Sequence, residues 1–197
     1  DQAANQVLSK NPDALLFFAA DPDFSEGVVG LAASRLTEAY YRPSIVGHRG
    51  ETHTVASCRS IPEFHITYAL DDCADLLVKH GGHAAAAGLT VKNEDVDDLI
   101  TRLTAIAEQQ LKKLELLPKL NIDREIRLNK LGQKYIPGIL EDLRLLEPTG
   151  IDNPMPLFAS RNVSVRQARP VGREGSHLKL LLRAGTNAFD AIAFRQG

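Results

Sequence analysis

The segment from Gly81 to Gly88 is the part of this 197-residue chain best suited to chemistry. It reads Gly-Gly-His-Ala-Ala-Ala-Ala-Gly, so little side-chain bulk surrounds the imidazole of His83. Such a segment lets a phosphate or another backbone approach very closely. His83 can donate a hydrogen bond to an anion or exchange a proton near neutral pH. A helix cap would explain Gly81 or Gly82 alone, but it does not require Gly88. Gly81, Gly82, His83 and Gly88 therefore predict a phosphate-binding site.

A second candidate group lies at the predicted end of a strand, where Arg59 is flanked by Ser57 and Ser60. An arginine beside hydroxyl groups can hold a phosphate with two hydrogen bonds. Arg35, on a predicted helix of small residues, is a further candidate cation. The alternative for both arginines is an ordinary solvated position. We expect Ser57, Arg59 and Ser60 to bind a phosphate next to the one at His83, with Arg35 nearby.

Other site chemistries find no support in the sequence. Neither a Gly-x-Ser-x-Gly motif nor a Walker-type phosphate loop is present. None of the remaining histidines has a Cys, Asp or Glu at metal-ligand spacing. These histidines are His48, His53, His65, His80 and His177. We therefore predict no metal site and no bound cofactor in this chain.

The net charge of −2 conceals an uneven distribution. Residues 1–118 carry 10 basic and 17 acidic side chains, whereas residues 119–197 carry 13 and 8. A basic half of this kind suggests a polyanionic partner, although a basic surface without a partner is the alternative. Few aromatic side chains accompany these cations, so we expect contacts with phosphates rather than bases. The predicted nucleic-acid contacts are Arg161, Arg166, Arg169, Arg173, Lys179 and Arg183.

The hydrophobic pattern predicts two domains, residues 1–118 and 119–197. The first alternates strands and helices, which indicates an α/β domain with a mixed sheet. Its predicted strands are 14–20, 44–46, 52–57 and 89–91. One predicted helix begins at Ser25, a second covers 66–79 and is ended by Gly81-Gly82, and a third runs from Asn93 towards Pro118. The second is β-rich, with predicted strands 122–128, 157–169, 177–183 and 188–195 and a helix at 132–146. Its strands suit an incomplete OB-like barrel.

Composition also bears on location. No run of eighteen apolar residues is present, so we expect no membrane association. Cys58 and Cys73 are the only cysteines, which suits a reducing, cytoplasmic setting. The first residue is not methionine, which suggests an excised fragment.

Several motifs together resemble a known family. The segment Gly81-Gly82-His83 with Ala86-Ala87-Gly88 is similar to the signature of the DHHA1 domain, the substrate-binding partner of DHH-superfamily phosphoesterases. The stretches 27–36 and 57–61 resemble the same domain of RecJ-type single-strand DNA exonucleases. In the second half, the stretches 147–150, 153–158 and 177–180 resemble the OB region of those exonucleases. The resemblance covers about 14–195, with its motifs in the family's order.

The resemblance implies a function. The chain would be the substrate-binding portion of an exonuclease that degrades single-stranded DNA from 5′ to 3′ in DNA repair and recombination. In that family a separate DHH domain holds Mn²⁺ or Mg²⁺ and activates water. This sequence contains no Asp-His-His motif, so we expect the chain alone to be inactive. Repair or replication proteins are further expected partners.

Two alternative functions stay open at the level of sequence. One is a related phosphoesterase acting on oligoribonucleotides or cyclic dinucleotides, although such proteins usually end after the DHHA1 domain. The other is a non-catalytic module that binds single-stranded nucleic acid or serves as a scaffold.

Overall fold

The computed structural model describes residues 1–131, 135–150 and 152–197. The chain divides into two compact units, Asp1–Pro118 and Lys119–Gly197. The first unit combines a mixed sheet with helices, and the second is rich in strands, so the predicted fold class is confirmed.

The first unit is organised around a five-stranded sheet with the order β1-β2-β3-β5-β4. Only the β1–β2 pair is parallel, and the other neighbours are antiparallel. The strands are β1 (Phe17–Asp21), β2 (Ser44–Arg49), β3 (His53–Arg59), β4 (Leu77–His83) and β5 (Ala86–Lys92). The helices are α1 (Gln2–Lys10), α2 (Glu26–Tyr40), α3 (Ile66–Asp71) and α4 (Val96–Leu111).

The two faces of this sheet are covered differently. Along β3, buried and half-buried residues alternate, as expected for a strand with one core face. On the core face, Cys58, Leu89 and Val91 pack in one hydrophobic cluster with α3 and α4. On the other face, α2 covers β1, β2 and part of β3. Beyond α2, that face continues onto β5 and β4, where Gly88 is exposed.

The helix predicted for residues 66–79 is wrong beyond Asp71. A short 3-10 segment, Ala74–Leu76, follows α3, and the chain then forms the edge strand β4. Asp71 and Asp72 place two carboxylates at the C-terminal end of α3, where the helix dipole disfavours negative charge. Gly81 and Gly82 therefore do not end a helix. They lie within β4 and pair with Gly88 and Ala87 of β5.

The helix predicted from Asn93 to Leu117 is shorter than expected. Residues 93–95 form a 3-10 turn, and α4 ends at Leu111 rather than near Leu117. Leu99, Leu103 and Leu111 are fully buried, so the apolar spacing correctly identified the buried face of the helix. The first helix, α1, was not predicted, although Ala3 and Val7 are buried against α2 and β1.

The second unit contains an antiparallel sheet with the order β10-β9-β8 and a two-residue parallel ladder between β6 and β7. Its elements are β6 (Arg124–Glu125), α5 (Ile136–Arg144), β7 (Phe158–Ala159), β8 (Ser164–Val171), β9 (His177–Ala184) and β10 (Asn187–Ala193). In the part of the chain that the structure describes, these strands remain open sheets, as predicted for an incomplete barrel.

Three sequence predictions for this unit need correction. The strand expected at 122–128 is limited to Arg124–Glu125. The strand expected at 157–169 is divided, because Asn162 adopts a positive φ of 56° between β7 and β8. The helix expected at 132–146 is observed as Ile136–Arg144, and residues 132–134 lie outside the described part.

None of the described helices is long and apolar enough to cross a membrane.

Candidate phosphate-binding trough

The hydrogen-bond register brings the two predicted phosphate groups onto one face of the sheet. Ser57 pairs with Gly88, and Gly88 pairs with Gly81 on the far side of β5. Two residues further along, Ala86 lies between Arg59 and His83 in the same way. Directly paired residues in antiparallel strands share a face. These six residues therefore form one open surface, which we call the trough.

The floor of the trough is nearly free of side chains. Gly88 and Ala86 of β5 form its middle, with β3 and β4 about 10 Å apart on either side. A Cβ atom added to Gly81 would meet nothing within 4 Å, and one added to Gly88 would meet only the Ala56 carbonyl oxygen at 3.8 Å. Packing within the chain does not require glycine at either position. The open space is therefore available to a ligand.

Arg59 and Ser57 form the wall of the trough on β3. The Arg59 Nη1 atom donates a 2.8 Å hydrogen bond to the Cys58 carbonyl oxygen. No carboxylate among the described residues lies within ion-pair distance of this guanidinium, which leaves its positive charge unneutralised. The helix α2 comes close here because Gly30 has no side chain: a Cβ there would lie 3.4 Å from Arg59 Nη2 and 3.5 Å from Ser57 Oγ.

His83 forms the opposite rim, at the end of a two-residue hairpin. Its imidazole is exposed and makes no hydrogen bond to any residue in the described ranges. Its backbone is firmly held, because Thr67 Oγ1 donates a 2.8 Å hydrogen bond to the His83 carbonyl oxygen. The Ala84 and Ala85 carbonyl oxygens accept from the Ile66 and Ser60 backbone N–H groups. The hairpin thus presents a free imidazole on a fixed backbone, which suits anion binding.

Two other predicted residues already have roles within the fold. The Ser60 hydroxyl donates a 2.6 Å hydrogen bond to the Phe64 carbonyl oxygen, so its proton is committed to the loop that supports the hairpin. Gly82 has a φ of 153°, and a Cβ there would lie 2.5 Å from Ala87 Cα. Glycine at position 82 is therefore needed by the backbone itself. Direct phosphate contact by Ser60 or Gly82 stays a prediction.

Arg35 lies apart from the trough. It is exposed on a different side of α2 and lines an open depression of about 460 Å³ between α1 and α2, together with Leu31 and Tyr40. The described contacts do not bring it to Ser57 or Arg59, and its predicted role in phosphate binding has no geometric support here.

In the second unit, the register groups three of the six predicted basic residues on one face. Arg169 pairs directly with Lys179, and Arg183 lies four residues further along β9. Lys179 Nζ is 3.6 Å from a carboxylate oxygen of Asp190, which neutralises part of this charge.

The other three predicted basic residues of this unit are separated from that face. Arg166 lies at a β-bulge, and Arg173 lies in the exposed turn between β8 and β9. Arg161 pairs with Glu125 at 3.1 Å and lines a polar cavity of about 480 Å³ with Arg127 and Lys130.

Sequence reasoning missed two further residues on the trough face, Lys79 and Thr90. They are Cα partners across β4 and β5, two residues from the Gly81–Gly88 pair. The alternation 79-81-83 would have revealed Lys79 had residues 77–83 been assigned to a strand. Behind the trough, burial raises the pKa of the Cys58 thiol to about 12, so this neighbour of Arg59 stays uncharged.

The described residues do not fit a divalent metal site. No three histidine, cysteine, aspartate or glutamate side chains come together there as potential ligands.

Comparisons with known proteins assign both halves of the chain to known domain families. Residues 2–113 match the model of the DHHA1 domain family, and residues 122–197 match that of the RecJ OB domain. Single-stranded-DNA-specific exonuclease RecJ from Bacillus subtilis is 32% identical over 199 residues, which cover 100% of this chain and 25% of that protein. RecJ from Thermus thermophilus is 30% identical over 95% of this chain and 26% of its own length. The chain thus spans about a quarter of these curated relatives.

Solved structures give the same result. The crystal structure of Thermus thermophilus RecJ in complex with Mn²⁺ superimposes with a TM-score of 0.79 and 27% identity over 100% of this chain and 28% of that one. The Mg²⁺ complex of the same protein gives a TM-score of 0.76 over 98% of this chain and 29% of that one. The match of the second half to the RecJ OB domain favours the exonuclease interpretation over the other phosphoesterases. The chain therefore belongs to the DHHA1 family and corresponds to the DHHA1 and OB portion of RecJ-type exonucleases.

Proposed function

We propose that this chain is the substrate-binding portion of an exonuclease that degrades single-stranded DNA from its 5′ end in DNA repair and recombination. The observation that supports this most directly is the trough. There an arginine and a histidine, neither paired with a carboxylate among the described residues, face each other across a floor of glycine and alanine. A width of about 10 Å suits one sugar–phosphate backbone lying along β5.

Each trough residue has a distinct part in this proposal. The Arg59 guanidinium donates to the two non-bridging oxygens of one phosphodiester, and the Ser57 hydroxyl donates to one of the same oxygens. His83 donates to the same or the adjacent phosphate from the opposite rim. Gly81 and Gly88 allow the phosphate to descend to the backbone. Charge-assisted hydrogen bonds of this kind contribute about 1.5–3 kcal/mol each.

The bond-breaking step belongs to another part of the enzyme in this proposal. A DHH domain with Mn²⁺ or Mg²⁺ would supply a metal-activated water. The present chain holds the phosphodiester in one orientation. This raises the rate of hydrolysis by keeping the reacting groups correctly positioned. We therefore expect the 197-residue chain alone to bind single-stranded DNA weakly and to hydrolyse nothing.

The second unit is proposed to guide the single strand. Arg169, Lys179 and Arg183 offer a positively charged face with little aromatic surface, so binding there depends on phosphates and tolerates any sequence. The free thiols of Cys58 and Cys73 are consistent with work in the cytoplasm. Repair or replication proteins as partners stay a prediction from the resemblance.

The test uses the exonuclease that contains this chain, with His83→Ala. We expect turnover to fall at least about tenfold, since one charge-assisted hydrogen bond is lost. His80→Ala is the matched control: His80 lies on the same strand but pairs with Asp71 of α3 at 2.8 Å, on the other face of the sheet. Wild-type turnover in His83→Ala, or an equal loss in His80→Ala, would contradict the assignment.

A further inference from the structure

We propose that Lys79 and Thr90 form a second phosphate subsite in the trough, next to the phosphate held by Ser57, Arg59 and His83. This inference rests on the proposed function and deepens it. The trough would then hold two consecutive phosphates of one single strand rather than a single phosphate group.

The position of the pair follows from the register. Lys79 and Thr90 are direct partners across β4 and β5, and Gly81 and Gly88 are the partners two residues along. Side chains two residues apart on a strand share a face, so Lys79 and Thr90 lie on the trough side. Two residues of β-strand span about 6.7 Å. That step is comparable to the distance between successive phosphates of an extended single strand.

The hydroxyl of Thr90, at this end of the trough, is buried and unpartnered among the described residues. The residue as a whole is only 7% exposed. Buried hydroxyl groups are nearly always hydrogen-bonded, so an orphan of this kind needs an explanation. A phosphate oxygen is an acceptor and would satisfy the hydroxyl proton directly.

Lys79 provides the charge for the same site. It is exposed, and within the described ranges no carboxylate lies close enough to pair with it. Lys92 of β5, by comparison, has Glu94 at 3.4 Å. Residues 1–118 carry seven more acidic than basic side chains, so a lysine without a carboxylate partner among the described residues is conspicuous in this unit. A flexible ammonium suits a phosphate as a point charge, whereas Arg59 provides the bidentate contact.

The experiment is a scan of single methylphosphonate substitutions along a short labelled oligothymidylate, with affinity measured by fluorescence anisotropy on the 197-residue chain. Each substitution removes one negative charge. We expect two adjacent sensitive positions in the wild-type chain, each weakening binding about tenfold. In Lys79→Met, one of the two positions should become insensitive, and the slope of log affinity against log salt should fall by about 0.7.

Two further variants separate binding from folding. Thr90→Val removes only the hydroxyl, so binding should weaken severalfold at the same phosphate while the melting temperature is unchanged or higher. A merely structural Thr90 would instead show a lower melting temperature. Lys112→Met is the matched control, because Lys112 follows α4 on the opposite side of the sheet. It should leave the methylphosphonate pattern unchanged.

The outcomes distinguish the two proposals. If the wild-type chain fails to bind single-stranded DNA even at low salt, the proposed function itself is contradicted. If it binds but shows only one sensitive phosphate, the second subsite is overturned and the first stands. The same conclusion follows if Lys79→Met gives the same methylphosphonate pattern as the wild type. An equal effect of Lys112→Met would likewise overturn the subsite.

Discussion

The neighbouring glycines Gly81 and Gly82 should respond to the same substitution in opposite ways. Gly81→Ala places a methyl group where no atom lies within 4 Å, at a position without a positive φ. The folded chain accommodates it, and the loss of backbone freedom in the unfolded chain stabilises the protein by roughly 0.4–1 kcal/mol. Binding should nevertheless suffer, because the methyl group stands about 1.5 Å above the trough floor. Displacing a phosphate by that amount breaks a charge-assisted hydrogen bond of about 1.5–3 kcal/mol, which corresponds to a tenfold or greater loss of affinity.

Gly82→Ala should act on folding instead. The new methyl group would overlap the Ala86 carbonyl oxygen and lie 2.5 Å from Ala87 Cα, and alanine disfavours the φ of 153°. Overpacking and backbone strain each cost about 1–3 kcal/mol, so we expect a loss of about 2–6 kcal/mol. For a unit of this size, that lowers the melting temperature by roughly 10 °C or more.

The assay pairs thermal unfolding, followed by circular dichroism, with anisotropy measurements of single-stranded DNA binding. Gly138→Ala serves as the control, because a Cβ at Gly138 also meets nothing within 4 Å but belongs to α5 of the second unit. The reasoning is refuted if Gly81→Ala binds DNA as well as the wild type. It is equally refuted if Gly82→Ala melts at the wild-type temperature.

Two further predictions concern protonation and salt. Burial holds the pKa of Cys58 near 12 in the folded chain against an ordinary 9.0, so this thiol supports folding below pH 9, and that support declines as the pH rises from 9 to 12. Burial also raises the pKa of Cys73, to about 11, so some alkaline loss of stability persists without Cys58. In urea unfolding, the loss above pH 9 should be smaller in Cys58→Ala than in the wild type by about 1.4 kcal/mol per pH unit; parallel pH profiles would contradict it. In the second unit, Arg169→Gln should lower the salt slope of DNA binding by about 0.7, whereas Arg144→Gln at the end of α5 should not. A slope that is flat in the wild type would remove this basic face from the proposal.

The sequence predicted the chemistry of the trough better than its architecture. Arg59 between hydroxyls and His83 among glycines each suggested phosphate binding from residue type alone. The local pattern around residues 66–79 nevertheless indicated a helix, because Ile66, Ala69, Leu70 and Cys73 do face one core. Helical spacing cannot show where a helix stops when the following residues gain more from pairing with a strand. That error hid the alternation of Lys79, Gly81 and His83.

The glycines illustrate the same limit. In the sequence, Gly81, Gly82 and Gly88 are equivalent members of one motif. In the structure, Gly82 is required by its own backbone, whereas Gly81 and Gly88 leave space that the chain does not fill. Gly30, which lies far from this motif in the sequence, allows α2 to approach Ser57 and Arg59. Only the packing of separate elements distinguishes these roles.

The sequence by itself therefore determined which groups are available: a small-residue segment with one imidazole, an arginine between serines, and a basic second half. It also determined the family, because several motifs occur in the family's order. The tertiary structure alone decided that Ser57, Gly88 and Gly81 form one row across the sheet. It also decided that Arg59 and His83 lie on either side of Ala86 in the next row. Strand register is set by hydrogen bonds between residues distant in sequence, and a shift of one residue would place these side chains on the core face. No local pattern contains that information.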